Sequence, residues 1–128
     1  MIFNEGGINL TDWKEQLTEG KSASIEGFFN EAKLLNKRNS VFVDVTANED
    51  VANCYSDYLR ESIAVVACNK IACSNDFNTY SELKRLSRKY NAPFLFETNV
   101  GAGLPVIDTL NHLITSGDNV NSIQAVLS

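Results

Sequence analysis

The sequence predicts an α/β fold built on a parallel sheet. Short β-branched or continuously apolar runs alternate with longer segments in which apolar residues recur every three or four positions. The expected strand starts, at residues 41, 63 and 93, are separated by stretches long enough for a helical crossover. Parallel neighbours need such connections and hairpins do not. Ile63–Cys68 is apolar without alternation, the pattern of a strand covered on both faces.

In chain order, Leu10–Glu19 reads as a short helix, with Asn9 or Thr11 as its cap and Gly20 at its end. A second helix spans Ser24–Asn36, where Ile25, Phe28, Phe29, Ala32 and Leu35 share one stripe. Val41–Thr46 changes the period and reads as a strand running into the polar helix start Asn48-Glu49-Asp50. The next helix carries Val51, Tyr55, Tyr58 and Leu59 inward, and the strand Ile63–Cys68 follows. Asn75–Tyr90 repeats the helical period, with Phe77, Tyr80, Leu83 and Leu86 facing in. Pro93 leads to a third strand, Phe94–Thr98. A glycine-rich turn over residues 100–104 opens a helix with Pro105 at its first position, closed by Gly117. Residues 122–128 read as the start of a fourth strand. A doubly wound sheet has roughly five or six strands; with three to four here, the sheet is expected to be truncated at both ends.

Composition narrows the function. The 128 residues carry a net charge of −5, which disfavours phosphate-neutralising binding and argues for no nucleic-acid partner. No apolar run reaches the roughly 18–20 residues that cross a bilayer, so no membrane partner is expected. Cys54, Cys68 and Cys73 are odd in number and read as reduced thiols of a cytoplasmic protein. His112 is the single histidine, which leaves no multi-histidine metal site.

Ligands of open parallel sheets sit beyond the carboxyl ends of the strands. Three segments therefore matter: Thr46-Ala47-Asn48, Asn69-Lys70 and Glu97–Leu104. The turn Gly101-Ala102-Gly103-Leu104-Pro105-Val106 imitates a dinucleotide fingerprint, but Val106 stands where the third glycine belongs. No acidic strand end follows about 20 positions later, where a ribose contact is made. The alternatives are a plain strand–helix turn or a cage of main-chain carbonyls around a cation. Lys70 emerges directly after an apolar strand and can hold a carboxylate, phosphate or carbonyl oxygen, or can simply be solvated. Thr46 can donate to a ligand or cap the following helix. Asp44, inside an apolar strand, reads as a structural acceptor for backbone N–H groups of a neighbouring loop. Lys84, Arg85, Arg88 and Lys89 read as a solvated helix end.

At these same strand ends the chain resembles homoserine dehydrogenase, especially the dehydrogenase half of bifunctional aspartokinase–homoserine dehydrogenase. The stretches that carry the resemblance are residues 7–15 (GINLTDWKE), 43–47 (VDVTA), 65–70 (VVACNK) and 97–107 (ETNVGAGLPVI). It implies a partial Rossmann-like parallel sheet of three to four strands with flanking helices. Residues 1–121 would form the C-terminal part of an NAD(P)-binding domain, and residues 122–128 the first strand towards a substrate domain. It further implies NAD(P)-dependent interconversion of L-homoserine and L-aspartate 4-semialdehyde, on the route to threonine and methionine. By the resemblance, Thr46, Ala47 and Lys70 line the cofactor site, with Lys70 as the active-site lysine between NADP (or NAD) and homoserine. The main-chain carbonyls of Glu97, Val100, Ala102 and Leu104 would hold a monovalent cation, sodium. The family often has Thr-Ser where this chain has Thr46-Ala47, so a hydroxyl contact at the second position is lost.

A G-x-G-x-x-G unit and the acidic residues of a substrate domain are absent from these residues, so the chain alone is expected to be an inactive fragment of an enzyme. A homo-oligomer is expected, because a fourth strand ending the chain would leave an apolar edge. The competing readings are another NAD(P)-dependent dehydrogenase, or a non-catalytic α/β binding or interaction module.

Overall fold

Three short strands set the frame: β1 (Val41–Asp44), β2 (Ala64–Ala67) and β3 (Phe94–Leu95). The computed structural model describes residues 1–126. The strands pair in parallel in the order β1-β2-β3, with Val43 opposite Val66 and Val66 opposite Leu95. The helices are α1 (Trp13–Thr18), α2 (Ile25–Leu35), α3 (Glu49–Asn53), α4 (Tyr55–Arg60), α5 (Ile71–Ser74), α6 (Phe77–Lys89) and α7 (Ile107–Thr115). A single 3-10 turn, Glu97–Asn99, follows β3. This is the α/β parallel-sheet architecture that the alternating periodicity predicts.

The period-2 geometry of a strand sorts side chains onto two faces. Asp44, Val65, Ala67 and Phe94 are buried beneath α3–α6, where Tyr55, Tyr58, Leu59, Leu83 and Leu86 complete the core. Phe42 stacks on Tyr58 at a centroid distance of 4.0 Å, and Phe29 of α2 meets Tyr58 edge-on at 5.1 Å. The other face is bare. Val41, Val43 and Leu95 are 54%, 57% and 55% exposed, so the covering on both faces that the apolar run Ile63–Cys68 suggests is met on only one.

Several expected boundaries shift for identifiable reasons. The helix expected from Leu10 starts at Trp13, because Asn9 Oδ1 accepts from the Thr11 amide and hydroxyl and holds that stretch in a turn. Gly20 does not take a left-handed cap. It is glycine because a Cβ there would lie 2.6 Å from the Met1 carbonyl oxygen. The left-handed cap belongs instead to Asn36 (φ 43°), at the end of α2. The single helix expected after β1 is broken at Cys54 into α3 and α4. The helix expected from Asn75 begins at Phe77, capped by Asp76, whose carboxylate accepts from the Asn78 and Thr79 amides. Phe77, expected to face inward, is 74% exposed. Residues 122–126 form no strand: Ile123 and Val126 stand in solvent, with no neighbouring strand among the described residues to supply a ladder. Residues 127 and 128 of that expected strand lie outside the described residues.

Candidate functional site

At the carboxyl edge of the sheet, the three strand ends are bound together by one polar network. Asp44, the last residue of β1, is 1% exposed. Its Oδ1 accepts from the Thr46 amide (2.7 Å); its Oδ2 accepts from the Tyr55 hydroxyl (2.6 Å) and from Asn69 Nδ2 (3.0 Å). Burial pushes the Asp44 carboxyl up, but the bonds from Tyr55, Thr46 and Asn69 outweigh it and hold it below the ordinary carboxylate range. Burial, with Asp44 beside it, raises the Tyr55 phenol far above its usual value, so it stays a donor.

Asn69, 2% exposed and two residues beyond β2, extends the network. Its Nδ2 also donates to the Asn48 carbonyl (2.9 Å), and its Oδ1 accepts from the Ile71 amide (3.1 Å). Asn99, in the 3-10 turn after β3, donates from Nδ2 to the Asn69 carbonyl (3.3 Å). Asn48 caps α3 by accepting from the Val51 amide, so the cap that Thr46 might have provided lies two residues later.

On this scaffold stand the residues singled out by sequence. Thr46 and Ala47 are exposed just past β1. Thr46 Oγ1 accepts from the Asn48 amide (3.2 Å), and the same side chain bonds to Asp44 and helps to hold that carboxyl low. Lys70, exposed past β2, makes no ion pair or side-chain hydrogen bond among the described residues. The unpaired Lys70 ammonium, with the Thr46 hydroxyl at the adjacent strand end, suits a ligand that offers anionic or carbonyl oxygens. That donor set fits the nicotinamide end of a dinucleotide.

The glycine-rich turn leaves β3 through the 3-10 turn. Gly101 (φ 75°) and Ala102 (φ 50°) are left-handed, and the Leu104 amide donates to the Gly101 carbonyl at 2.9 Å. A Cβ on Gly101 would lie 2.9 Å from Val106 Cγ2. Val106, which spoils the dinucleotide fingerprint, therefore packs into the space that Gly101 leaves. The Glu97 and Leu104 carbonyls each accept one backbone bond, from Val100 (3.4 Å) and Val106 (2.9 Å). Each keeps a second lone pair, the least that a cage of main-chain oxygens would require of it. No cluster of three or more His, Cys, Asp or Glu able to hold a metal occurs among the described residues.

Residues 9–97 match the homoserine dehydrogenase NAD-binding domain family. The chain belongs to this family. A bifunctional aspartokinase/homoserine dehydrogenase of Haemophilus influenzae is 40% identical over 129 residues, covering 100% of this chain and 16% of the relative. A chloroplastic counterpart of Arabidopsis thaliana is 40% identical over 130 residues, 100% of this chain and 14% of its own length. A homoserine dehydrogenase of Schizosaccharomyces pombe is 32% identical over 125 residues, 94% of this chain and 32% of its own. In three dimensions the chain is similar to a Candida auris protein of unknown function, at TM-score 0.79 and 26% identity. That similarity covers 93% of this chain and 34% of the other. The chain thus spans about one sixth or less of the bifunctional relatives it matches.

Two features of this NAD-binding segment escape a reading of the sequence. Asn69 and Asn99 fall in segments that matter by position, yet only the fold shows that their side chains join strand ends. Glu97 was singled out for its carbonyl, yet its side chain does separate work: Oε1 and Oε2 accept from the Ile107 and Asp108 amides at 2.9 and 2.8 Å. It thereby fixes the start of α7 two residues after the expected Pro105. His112 lies exposed in α7, 3.8 Å from Asp108, in keeping with a surface role. Cys54, Cys68 and Cys73 are free thiols, and burial raises Cys54 and Cys73. Among the described residues, no helix is long and apolar enough to cross a membrane.

Proposed function

We propose that this chain supplies the nicotinamide end of the cofactor site in a homoserine dehydrogenase that interconverts L-homoserine and L-aspartate 4-semialdehyde. The observation that supports the reading is that Thr46, Ala47 and Lys70 follow the carboxyl ends of two neighbouring parallel strands, on a network that reaches the 3-10 turn leading into the glycine-rich turn. NADP or NAD, when bound, supplies the hydride acceptor. Thr46 donates its hydroxyl near the nicotinamide end, and Ala47 offers backbone alone. Lys70 lies between cofactor and substrate, where its charge orients the reacting oxygen. The carbonyls of Glu97, Val100, Ala102 and Leu104 hold sodium, which stiffens the turn beside the site. The product would feed threonine and methionine synthesis, in a reducing, cytoplasmic setting that suits three free thiols.

Hydride transfer requires cofactor and alcohol carbon in near-attack geometry. These 128 residues contain no G-x-G-x-x-G loop for the pyrophosphate, so the chain alone is expected to be inactive. The test is homoserine-dependent reduction of NAD and NADP by the complete reading frame, with and without Lys70→Ala. The expected result is activity in the wild type and a loss of at least ~100-fold in the variant, the scale set by removing a charge placed at the reacting group. Activity retained in Lys70→Ala would refute the assignment. Reduction by the isolated 128 residues would refute the expected inactivity.

A further inference from the structure

The backbone around Lys70 is held more firmly than an exposed residue at a strand end needs to be. The carbonyl before it, on Asn69, accepts from Asn99 Nδ2, and the amide after it, on Ile71, donates to Asn69 Oδ1. Its own carbonyl accepts from the Cys73 and Ser74 amides at 3.1 and 2.9 Å. Only the side chain is left free. Asn69 is itself fixed to Asp44 and to the Asn48 carbonyl.

Asn99 achieves this at a cost. Its Oδ1 is buried with no hydrogen-bond partner among the described residues. A buried, unpaired acceptor destabilises a fold, and rotating the amide would set an oxygen against the Asn69 carbonyl. A small apolar residue would avoid the penalty, so what distinguishes asparagine here is what its amide gives: the bond to the peptide before Lys70, and a contact that holds the Cys73 thiol down against burial.

We propose that Asn99, with Asn69, is a positioning residue that acts on the cofactor site through Lys70 by immobilising the peptides on both sides of it. This rests on the reading of Lys70 as a cofactor-site residue. A lysine has a long, mobile stem, so the reproducible placement of its ammonium depends on where its Cα is held. The clamp also ties that placement to the turn after β3, so two strand ends contribute to one charge.

The experiment is a double-mutant cycle on the complete reading frame, read as NADPH affinity by fluorescence titration, with thermal unfolding measured in parallel. Lys70→Ala is expected to weaken binding about tenfold and Asn99→Ala about threefold. Asn99→Ala deletes an unpaired acceptor but also the bond to the Asn69 carbonyl, so the two effects offset and the unfolding midpoint should move by only a few degrees. In the Lys70→Ala background, Asn99→Ala should have no further effect, because there is no ammonium left to place. Asn99→Gln, which keeps the amide but displaces it by a methylene, should behave likewise and serves if the alanine variant does not fold. Additive effects in the double variant, or unchanged affinity in both Asn99 variants, would overturn the positioning role alone. Unchanged affinity in Lys70→Ala would instead remove the cofactor-site reading, and the positioning role with it.

Discussion

Asp44 shows how one buried carboxylate can organise an active edge without taking part in chemistry. Its folded-state pKa lies below the unfolded value, so its contribution is fully present above about pH 4 and is lost as pH falls through the folded value. Tyr55→Phe removes one of the bonds that depress it. The variant should lose about 1–2 kcal/mol at neutral pH. Its acid unfolding, followed by circular dichroism, should begin at a higher pH than in the wild type. An unchanged acid midpoint would mean that the Tyr55 hydroxyl does not govern this carboxylate. At this scale the sequence was informative about type but not about partners. An aspartate inside an apolar strand announces a structural acceptor, and Lys70 announces a charge at a strand end. That Asn69 and Asn99 meet depends on the pairing of β2 with β3, which no local pattern encodes.

Among the elements, α7 depends on a residue ten positions upstream. Glu97 provides the carboxylate that its first amides need, opposite the positive end of the helix dipole. Glu97→Ala should cost about 1 kcal/mol and speed amide hydrogen exchange at residues 107–110. The carbonyl at 97 remains in that variant, so any cation held by the turn should be affected only through the fraying. Exchange rates unchanged at 107–110 would show that α7 starts without this cap. Periodicity located every strand of the sheet and most helices, because apolar spacing reports which face is buried. Boundaries were misplaced where a side chain redirects the backbone: Asn9 delays α1, Glu97 delays α7, and Asp76 rather than Asn75 opens α6. The short α5, held by Lys70, carries too few residues to show a period at all.

For the whole molecule, the bare sheet face is the dominant physical fact. Parallel sheets are stable when both faces are covered, and here Val41, Val43, Val45 and Leu95 are each more than half exposed. Residues 122–126 form no strand edge to drive the self-association expected of the isolated chain, and we propose that it uses this face instead. Light scattering at rising concentration should detect species larger than a monomer, and the chain should bind an apolar dye. Val43→Lys with Val45→Lys should suppress both signals while leaving the far-ultraviolet spectrum intact. Association that survives the double substitution would place the contact elsewhere. The apolar run Ile63–Cys68 led to an expected cover on both faces, and on this one none of the described helices forms it.

The strand order also bears on how the chain is assembled. Because neighbours in the sheet are neighbours in the chain, β1 pairs with β2 over residues 41 to 64, and β2 with β3 over residues 65 to 94. The entropy of closing these two crossovers is nearly the same, since it grows only with the logarithm of length. Neither pairing has to wait for a distant segment. A growing polypeptide could therefore lay down this sheet one strand at a time as it leaves the ribosome, with Asn69 and then Asn99 locking each new strand end as it arrives.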